Sequence, residues 1–328
     1  MRVLLTGGAG FIGHHVAEHL LRHTDAEVVF LDRLDTSGNL NRISQSDNWD
    51  RHRSRCRFVY HDLRAPINDM LKRQLGRFDV VLHLAASTHI DRSIADPVPF
   101  VYDNVVGTAN LLEWARQEDD IEQFIYFSTD EVFGPAPLGT LHKESDRFAP
   151  GNPYSATKAG AELLALSYHN TYNLPVKVVH VMNVFGERQH SEKFVPLVMS
   201  KVLRGETVNI HAGPDRLTPG SRFYIHARNV AAAVQFVMEK GTVGGSYNVV
   251  GEREVDNLQM ALLISHHMGI GLEYEMMDAN TNRPGHDLRY ALDGSKMAAM
   301  GWRLPVTFEA SLEKTVRWTM AHPEWLGH

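Results

Sequence analysis

The chain has 328 residues, 43% of them hydrophobic and 22% charged, with 33 lysines and arginines against 39 aspartates and glutamates. That composition supports a packed core and excludes bulk disorder, while the net charge of −6 argues against a general nucleic-acid binder. The lone cysteine, Cys56, excludes an internal disulfide and a cysteine-rich metal site; no apolar run reaches the roughly 18 residues of a membrane span, and Val3-Leu4-Leu5 is too short for a signal peptide, so the expectation is a soluble cytoplasmic protein without a metal.

The first strand is predicted over 2–5, and Thr6-Gly7-Gly8-Ala9-Gly10-Phe11-Ile12-Gly13 follows it directly. Gly7, Gly10 and Gly13 let a chain turn tightly and approach a pyrophosphate, and the helix predicted over 11–23 offers its N-terminal N–H groups to the anion. A second strand, 27–32, ends on Asp32, 19 residues after Gly13, where a carboxylate accepts hydrogen bonds from an adenosine ribose and repels a 2′-phosphate. The expected cofactor is therefore NAD, although Arg33 could instead meet a 2′-phosphate. His15, His19 and His23 fall at i, i+4 and i+8, and His15-Val16-Ala17-Glu18-His19 fits a zinc-peptidase pattern. A helix that opens inside a phosphate loop is a poor context for zinc, so these are read as a solvated histidine stripe. The basic run 51–57 is read as a solvated loop before a third strand at 57–60. The nineteen histidines as a set suggest no role.

Apolar strands at 79–84 and 122–128 alternate with a helix at 104–117, which implies βαβ units and a parallel sheet covered on both faces. Thr129-Asp130-Glu131 stands at the carboxyl end of 122–128, where ligands of such sheets bind. Neighbouring strand residues face opposite ways. Asp130 and Glu131 can share a site only if the backbone turns there, and Gly134-Pro135 supports a turn. Two adjacent carboxylates can then divide acid and base duties. Tyr154-Ser155-Ala156-Thr157-Lys158 places a lysine one helical turn from a tyrosine. Tyrosine must fall by about 3 pKa units, or roughly 4 kcal/mol, to serve as a base near neutrality. A lysine cation and a positive nicotinamide ring would supply that.

The helix predicted over 154–171 is followed by a strand at 176–182. Beyond Asn183 the texture changes to loops rich in Gly, Pro, Arg and His at 186–196, 211–222 and 278–290, with helices at 194–204, 227–240, 256–268 and 306–321. The predicted fold is a Rossmann-type doubly wound α/β sheet with a smaller mixed α/β substrate domain. Residues 1–184 form the NAD-binding part, 222–250 return to it, and 185–328 are mainly the nucleotide-sugar part.

These stretches resemble the extended short-chain dehydrogenase/reductases, and within them the nucleotide-diphosphate-glucose 4,6-dehydratases, especially those acting on dTDP-glucose. The similar segments run in order along nearly the whole chain: Thr6–Gly13, Leu31–Leu34, His83–Ala86, His89–Ser93, Ser128–Gly134, Tyr154–Lys158, Asn183, Glu192–Pro196, Tyr247-Asn248, Arg283–Asp287 and Gly301-Trp302. The resemblance implies that Tyr154, tuned by Lys158, takes the proton of the sugar 4-hydroxyl while hydride passes from C4 to NAD. Thr129 hydrogen-bonds the 4-oxygen, Glu131 removes the C5 proton, Asp130 protonates the departing 6-hydroxyl, and hydride returns to C6. It implies that Asp62 and Leu63 border adenine, and that Leu84, Ala85 and Ala86 line the cofactor cleft. Thr88, His89, Asn183, Lys193, Arg222, Asn248, Arg283 and His286 would approach the nucleotide sugar. It also implies a homodimer joined through the helices containing 104–117 and 154–170. Three departures fall on this pattern: Ser87 stands where a glutamate is usual, Val184 where a second asparagine is, and Gly220–His226 replaces an Arg-Asp-Trp region. A nucleotide-sugar 4-epimerase, a 5,6-dehydratase and a non-catalytic NAD-binding regulator remain as alternatives.

Overall fold

The computed structural model describes residues 1–35, 37–46, 49–279 and 288–327. Seven strands build the central sheet: β1 (Arg2–Thr6), β2 (Glu27–Asp32), β3 (Cys56–Tyr60), β4 (Val80–His83), β5 (Gln123–Thr129), β6 (Val176–Val181) and the late strand Ser246–Val249. All pair in parallel, in the order Ser246–Val249, β6, β5, β4, β1, β2, β3. The chain therefore winds outward from β1 to β3 and then crosses to β4 on the other side of β1. That reversal opens a crevice beyond the carboxyl ends of β1 and β4.

The strands are apolar throughout because helices cover both faces. Val3 and Leu5 pack with the first helix, Phe11–His23, and with Ala227–Lys240. Leu4, Val81 and Phe124 face the other way, against Asp69–Leu75, Gly107–Ala115 and Pro153–Tyr172. A separate core joins the helices Phe194–Leu203, Asn257–Met268 and Phe308–Ala321 with Val208 and Ile210 of the strand Val208–Ala212. Between these parts the chain comes back: Ser246–Val249 pairs with β6, Tyr247 opposite Val179. Among the described residues, no helix is long and apolar enough to cross a membrane.

The helix expected over 104–117 starts earlier, at Val98, and widens into a π-helical turn at Val101–Val106 before Gly107–Ala115. Such a turn often marks a functional position. Here the buried Asn104 amide accepts the Ser87 N–H at 2.8 Å and donates to Ser87 O and Thr157 Oγ1 at 3.0 and 2.9 Å. Thr157 Oγ1 donates in turn to Tyr154 O at 2.7 Å. Thr108 Oγ1 donates to Asn104 O, so it must accept from His83 Nε2 at 2.9 Å. His83 Nδ1 is then the acceptor for Thr6 Oγ1 at 2.7 Å, and Thr6 accepts the Ala85 N–H at 3.2 Å. One hydrogen-bonded chain thus joins the ends of β1 and β4 to the first turn of the Tyr154 helix.

Two readings of polar runs are corrected. The histidine stripe is not solvated: His14 and His15 are buried, His19 is half-buried on Gln235, and only His23 is exposed. The helix lies against Ala227–Lys240 and the chain at Glu187, so His15 Nε2 donates to Glu187 O at 3.2 Å and its ring meets His226. The basic run is not a plain loop either. It forms short helical turns over Trp49–His52 and Arg53–Arg55, and β3 begins at Cys56. Arg55 donates to Leu21 O, Thr24 O and Ala26 O, which satisfies carbonyls at the end of the first helix.

Candidate active site

A cavity of about 490 Å³ runs along the carboxyl ends of the strands. Its first part is the glycine loop. Gly7 has φ +69°, and a Cβ there would sit 2.7 Å from Ala85 N, so no other residue allows β1 and β4 to end so close together. The first helix starts after Gly10 with no side-chain cap, leaving its N–H groups directed to a ligand. Gly7, Gly10, Phe11, Ile12 and Gly13 all line this part, as do Leu84, Ala85 and Ala86 opposite. Asp32 closes β2 and accepts N–H bonds from Ala9 and Leu34 at 3.0 and 2.9 Å. Arg33 binds Asp103 through two nitrogens at 2.5 and 2.8 Å, Asp35 at 2.6 Å and Asp62 at 3.5 Å. Three carboxylates already neutralise it, so it is poorly placed to attract a 2′-phosphate. Asp62 and Leu63 line the same end. A cradle closed to a Cβ, an uncapped helix and a carboxylate at the end of β2 fit a dinucleotide without a 2′-phosphate.

The middle of the cavity holds the reactive groups. After Thr129 the chain leaves β5 in a 3₁₀ turn, Asp130–Phe133, and both carboxylates reach the same space. Gly134 ends that turn with φ +78°, its N–H on Glu131 O at 3.2 Å. A Cβ at Gly134 would lie 2.3 Å from Ala149 O. Gly134→Ala is expected to cost about 1–3 kcal/mol, read by denaturant unfolding, and to reduce activity in the fraction that still folds. Asn152 caps the Pro153–Tyr172 helix, accepting from Ser155 N at 2.9 Å, while its amide donates to Glu131 Oε2 at 3.3 Å. Tyr154 therefore stands in the first helical turn, where the dipole favours a phenolate. Lys158, one turn on, donates to Phe127 O at 2.5 Å and lies 4.3 Å over the Tyr126 ring.

Thr129 stands between the two machines. Its hydroxyl donates to Asp130 Oδ1 at 2.9 Å, and it is also within hydrogen-bond reach of Tyr154. One proton cannot serve both at once. Burial pushes Tyr154 above its ordinary value, and the Glu131 charge adds to this. Burial pulls Lys158 down to about 7, with the Glu162 charge opposing. Asp130 is pushed up to about 6 by burial, against the charge of Arg222. Glu131 is pushed up to about 7 by burial and by Asp130. The pair therefore retains a proton near neutrality, and Asp130 Oδ2 is buried without a hydrogen-bond partner among the described residues.

These shifts have a signed consequence for stability. Folded carboxyls with raised values hold protons that the unfolded chain has already released. Their contribution to stability is fully present below pH about 4 and declines as pH rises towards about 7. Glu131→Gln is expected to remove roughly 1–3 kcal/mol of that decline, measured as the difference in unfolding free energy between the two proteins across this window.

The far end is lined by Thr88, His89, Asn183, Lys193 and Arg222, together with Val184. Lys193 Nζ donates to Thr88 O at 3.2 Å, and His89 meets Glu192 at 3.2 Å. Arg222 is buried, donates to Ser221 O and Leu288 O at 2.6 Å each, and stacks on Tyr290 at 4.5 Å. Asn248 does not approach the cavity. It is buried on the late strand, donating to His142 O and Asp293 O and facing His180. The parallel pairing with β6 turns that side chain into the layer beneath the turn. Arg283 and His286 lie outside the described residues. Sequence reasoning missed Asn152, Asp103, Asn209 and His211, all but the first of which line the cavity. The Asn-Pro-Tyr start of a helix was a legible sign of a cap. In Val208–Ala212 the core takes Val208, Ile210 and Ala212, which alternation turns away from Asn209 and His211.

A tyrosine–lysine pair beside two protonatable carboxylates, on a doubly wound sheet, defines a sugar-modifying enzyme of the extended short-chain dehydrogenase/reductase class. Within that class the chain belongs to the family described as GDP-mannose 4,6 dehydratase, which matches residues 4–315. A dTDP-glucose 4,6-dehydratase from Salmonella typhimurium is 34% identical over 353 residues, covering 100% of this chain and 95% of its own. A trifunctional UDP-glucose 4,6-dehydratase, epimerase and reductase of Arabidopsis thaliana is 36% identical over 99% of this chain. The present chain spans about half of that plant protein, 48%. The crystal structure of a dTDP-glucose 4,6-dehydratase from Streptomyces venezuelae, with NAD bound, superimposes with a TM-score of 0.89 at 35% identity, covering 99% and 98% of the two chains.

Proposed function

We propose that the chain is a nucleotide-sugar 4,6-dehydratase, a lyase that holds NAD tightly and takes dTDP-glucose first among its substrates. The observation that supports this most is the turn after β5, which brings Asp130 and Glu131 into one cavity with Tyr154 and Lys158. A 4-epimerase has use for the tyrosine and lysine but none for a buried acid pair. NAD supplies a reversible hydride acceptor, emptied again before the product leaves.

Tyr154 receives the proton of the 4-hydroxyl, with Thr129 turning its hydroxyl from Asp130 towards the 4-oxygen. Oxidation at C4 makes the C5 proton acidic, and Glu131 removes it. Asp130 gives its proton to the departing 6-oxygen, and water leaves; Glu131 then returns its proton to C5 as the bound nicotinamide would return hydride to C6, and through solvent Tyr154 loses and Asp130 regains one proton. A 6-hydroxyl that accepts from Asp130 Oδ2, unpartnered among the described residues, draws the proton of the pair to Asp130. Lys193 and Arg222 suit the diphosphate, and Asn209 and His211 suit the base.

The reading is tested by incubating the protein and NAD with dTDP-, UDP-, CDP- and GDP-glucose and following product mass. Loss of one water without net NADH is the expected outcome. A new stereoisomer of unchanged mass would replace the proposal by the epimerase. We further propose a cytoplasmic homodimer. Val98, Val101 and Tyr102 share one exposed helix face, and Leu163 is exposed on the neighbouring helix. The mass in solution is expected to be twice 36.9 kDa, and a monomer at all concentrations would sink this part.

A further inference from the structure

Glu162 stands one turn beyond Lys158 on the same helix, 1% exposed, and its Oε1 lies 2.9 Å from Nε2 of His180 on β6, which is fully buried. Asn248 fixes the protonation of this pair. Its amide nitrogen lies between two backbone carbonyls, His142 O and Asp293 O, which only accept. Its oxygen must therefore face His180 Nδ1, 3.0 Å away, and that nitrogen carries a hydrogen. A second proton must then lie between Nε2 and Glu162, since two lone pairs cannot meet at that distance. With that proton on the imidazole, the negative end of the pair lies on the lysine's helix and the positive end on β6. Glu162 Oε2 is buried and accepts no hydrogen bond from the described residues. A pair kept only for packing gains nothing from such an unsatisfied oxygen.

We propose that Glu162 and His180 form a buried ion pair that strengthens the hold of Lys158 on its proton, making both of them positioning residues for the tyrosine–lysine machinery. The inference rests on the reading above that Tyr154 and Lys158 perform the C4 oxidation. Groups packed around Lys158 support it. His83 on β4 and Tyr126 on β5 bring no compensating negative charge, Tyr154 is neutral before cofactor and substrate bind, and burial pulls the lysine down to about 7 even with Glu162 in place. Glu162 is the group whose charge opposes that. The pair is also joined to the elimination machinery, because Phe133 at the end of the Asp130–Phe133 turn packs edge-on against the His180 ring at 4.9 Å.

The test compares wild type, Glu162→Asp and Glu162→Gln, each loaded with NAD and carrying isotope-labelled lysine. The Lys158 resonance is assigned by its loss in Lys158→Arg. Its titration midpoint should fall in the order wild type, Asp, Gln, by about one pH unit in all, a tenfold change in proton affinity. The alkaline limb of the kcat profile should move with it, leaving KM unchanged and restoring most activity at lower pH. The charge-conserving Asp variant should recover part of the limb. An unchanged midpoint in either folded variant, or a kcat loss equal at every pH, overturns the inference. If wild type turns over no nucleotide sugar, the functional reading fails, while the titration still decides whether Glu162 holds the lysine proton.

Discussion

Tyr154→Phe is expected to lower kcat by roughly a hundred- to ten-thousand-fold, the usual worth of a positioned acid–base group, with little change in the affinity for the nucleotide sugar. Steady-state kinetics and calorimetric binding on the same preparation check the two halves. The size of the effect follows from the surroundings of the phenol. Burial and the Glu131 charge oppose a phenolate, so the phenol becomes a base only where its surroundings offset both. What favours the phenolate is the first-turn position, the Lys158 cation and the positive nicotinamide of the bound cofactor. Removing the hydroxyl leaves all three without an object, and retention of kcat within tenfold would show that another group takes the 4-hydroxyl proton.

Glu131→Gln should divide the reaction rather than stop it. Proton loss from C5 needs a base, whereas oxidation at C4 needs only Tyr154 and NAD, so the variant is expected to oxidise substrate once and then stall. Rapid mixing should show the near-ultraviolet absorbance of reduced nicotinamide rise and persist, while formation of the dehydrated product falls roughly a hundred- to ten-thousand-fold. The substitution is almost isosteric, and the Asn152 contact to this side chain can be kept by its amide oxygen. Full turnover in the variant would assign the C5 proton to a different group. An absorbance that never rises would place Glu131 in the oxidation step instead.

Much of this site was readable before any coordinates. Glycines at fixed offsets, an acid at the end of β2 and a tyrosine four residues before a lysine are local signals, and local geometry is what spacing encodes. The shared cavity of Asp130 and Glu131 followed from one inference, that the strand must turn after Thr129. Long-range pairings were not readable. Asn248 matched a motif, yet its side chain is fixed by the register of Ser246–Val249 against β6, which no single segment specifies. The clamp of Arg33 depends on Asp103, seventy residues away and brought inward by a helix that widens at Val101–Val106. Histidines suffered most: His15, His83 and His180 each join elements far apart in sequence, so their pattern along the chain is uninformative.

The chain of hydrogen bonds from Thr6 through His83, Thr108, Asn104 and Thr157 to Tyr154 has a consequence for tolerance. The floor of the cofactor crevice and the helix bearing the phenol are surveyed from a single datum, so their separation is a property of the protein and not of whatever is bound. A ligand slightly too long or too short meets a fixed gauge and loses reactivity through misalignment before it loses affinity. Discrimination among closely similar sugars should accordingly appear in kcat more than in KM, and a variant that loosens the datum, such as His83→Ala, should blur it.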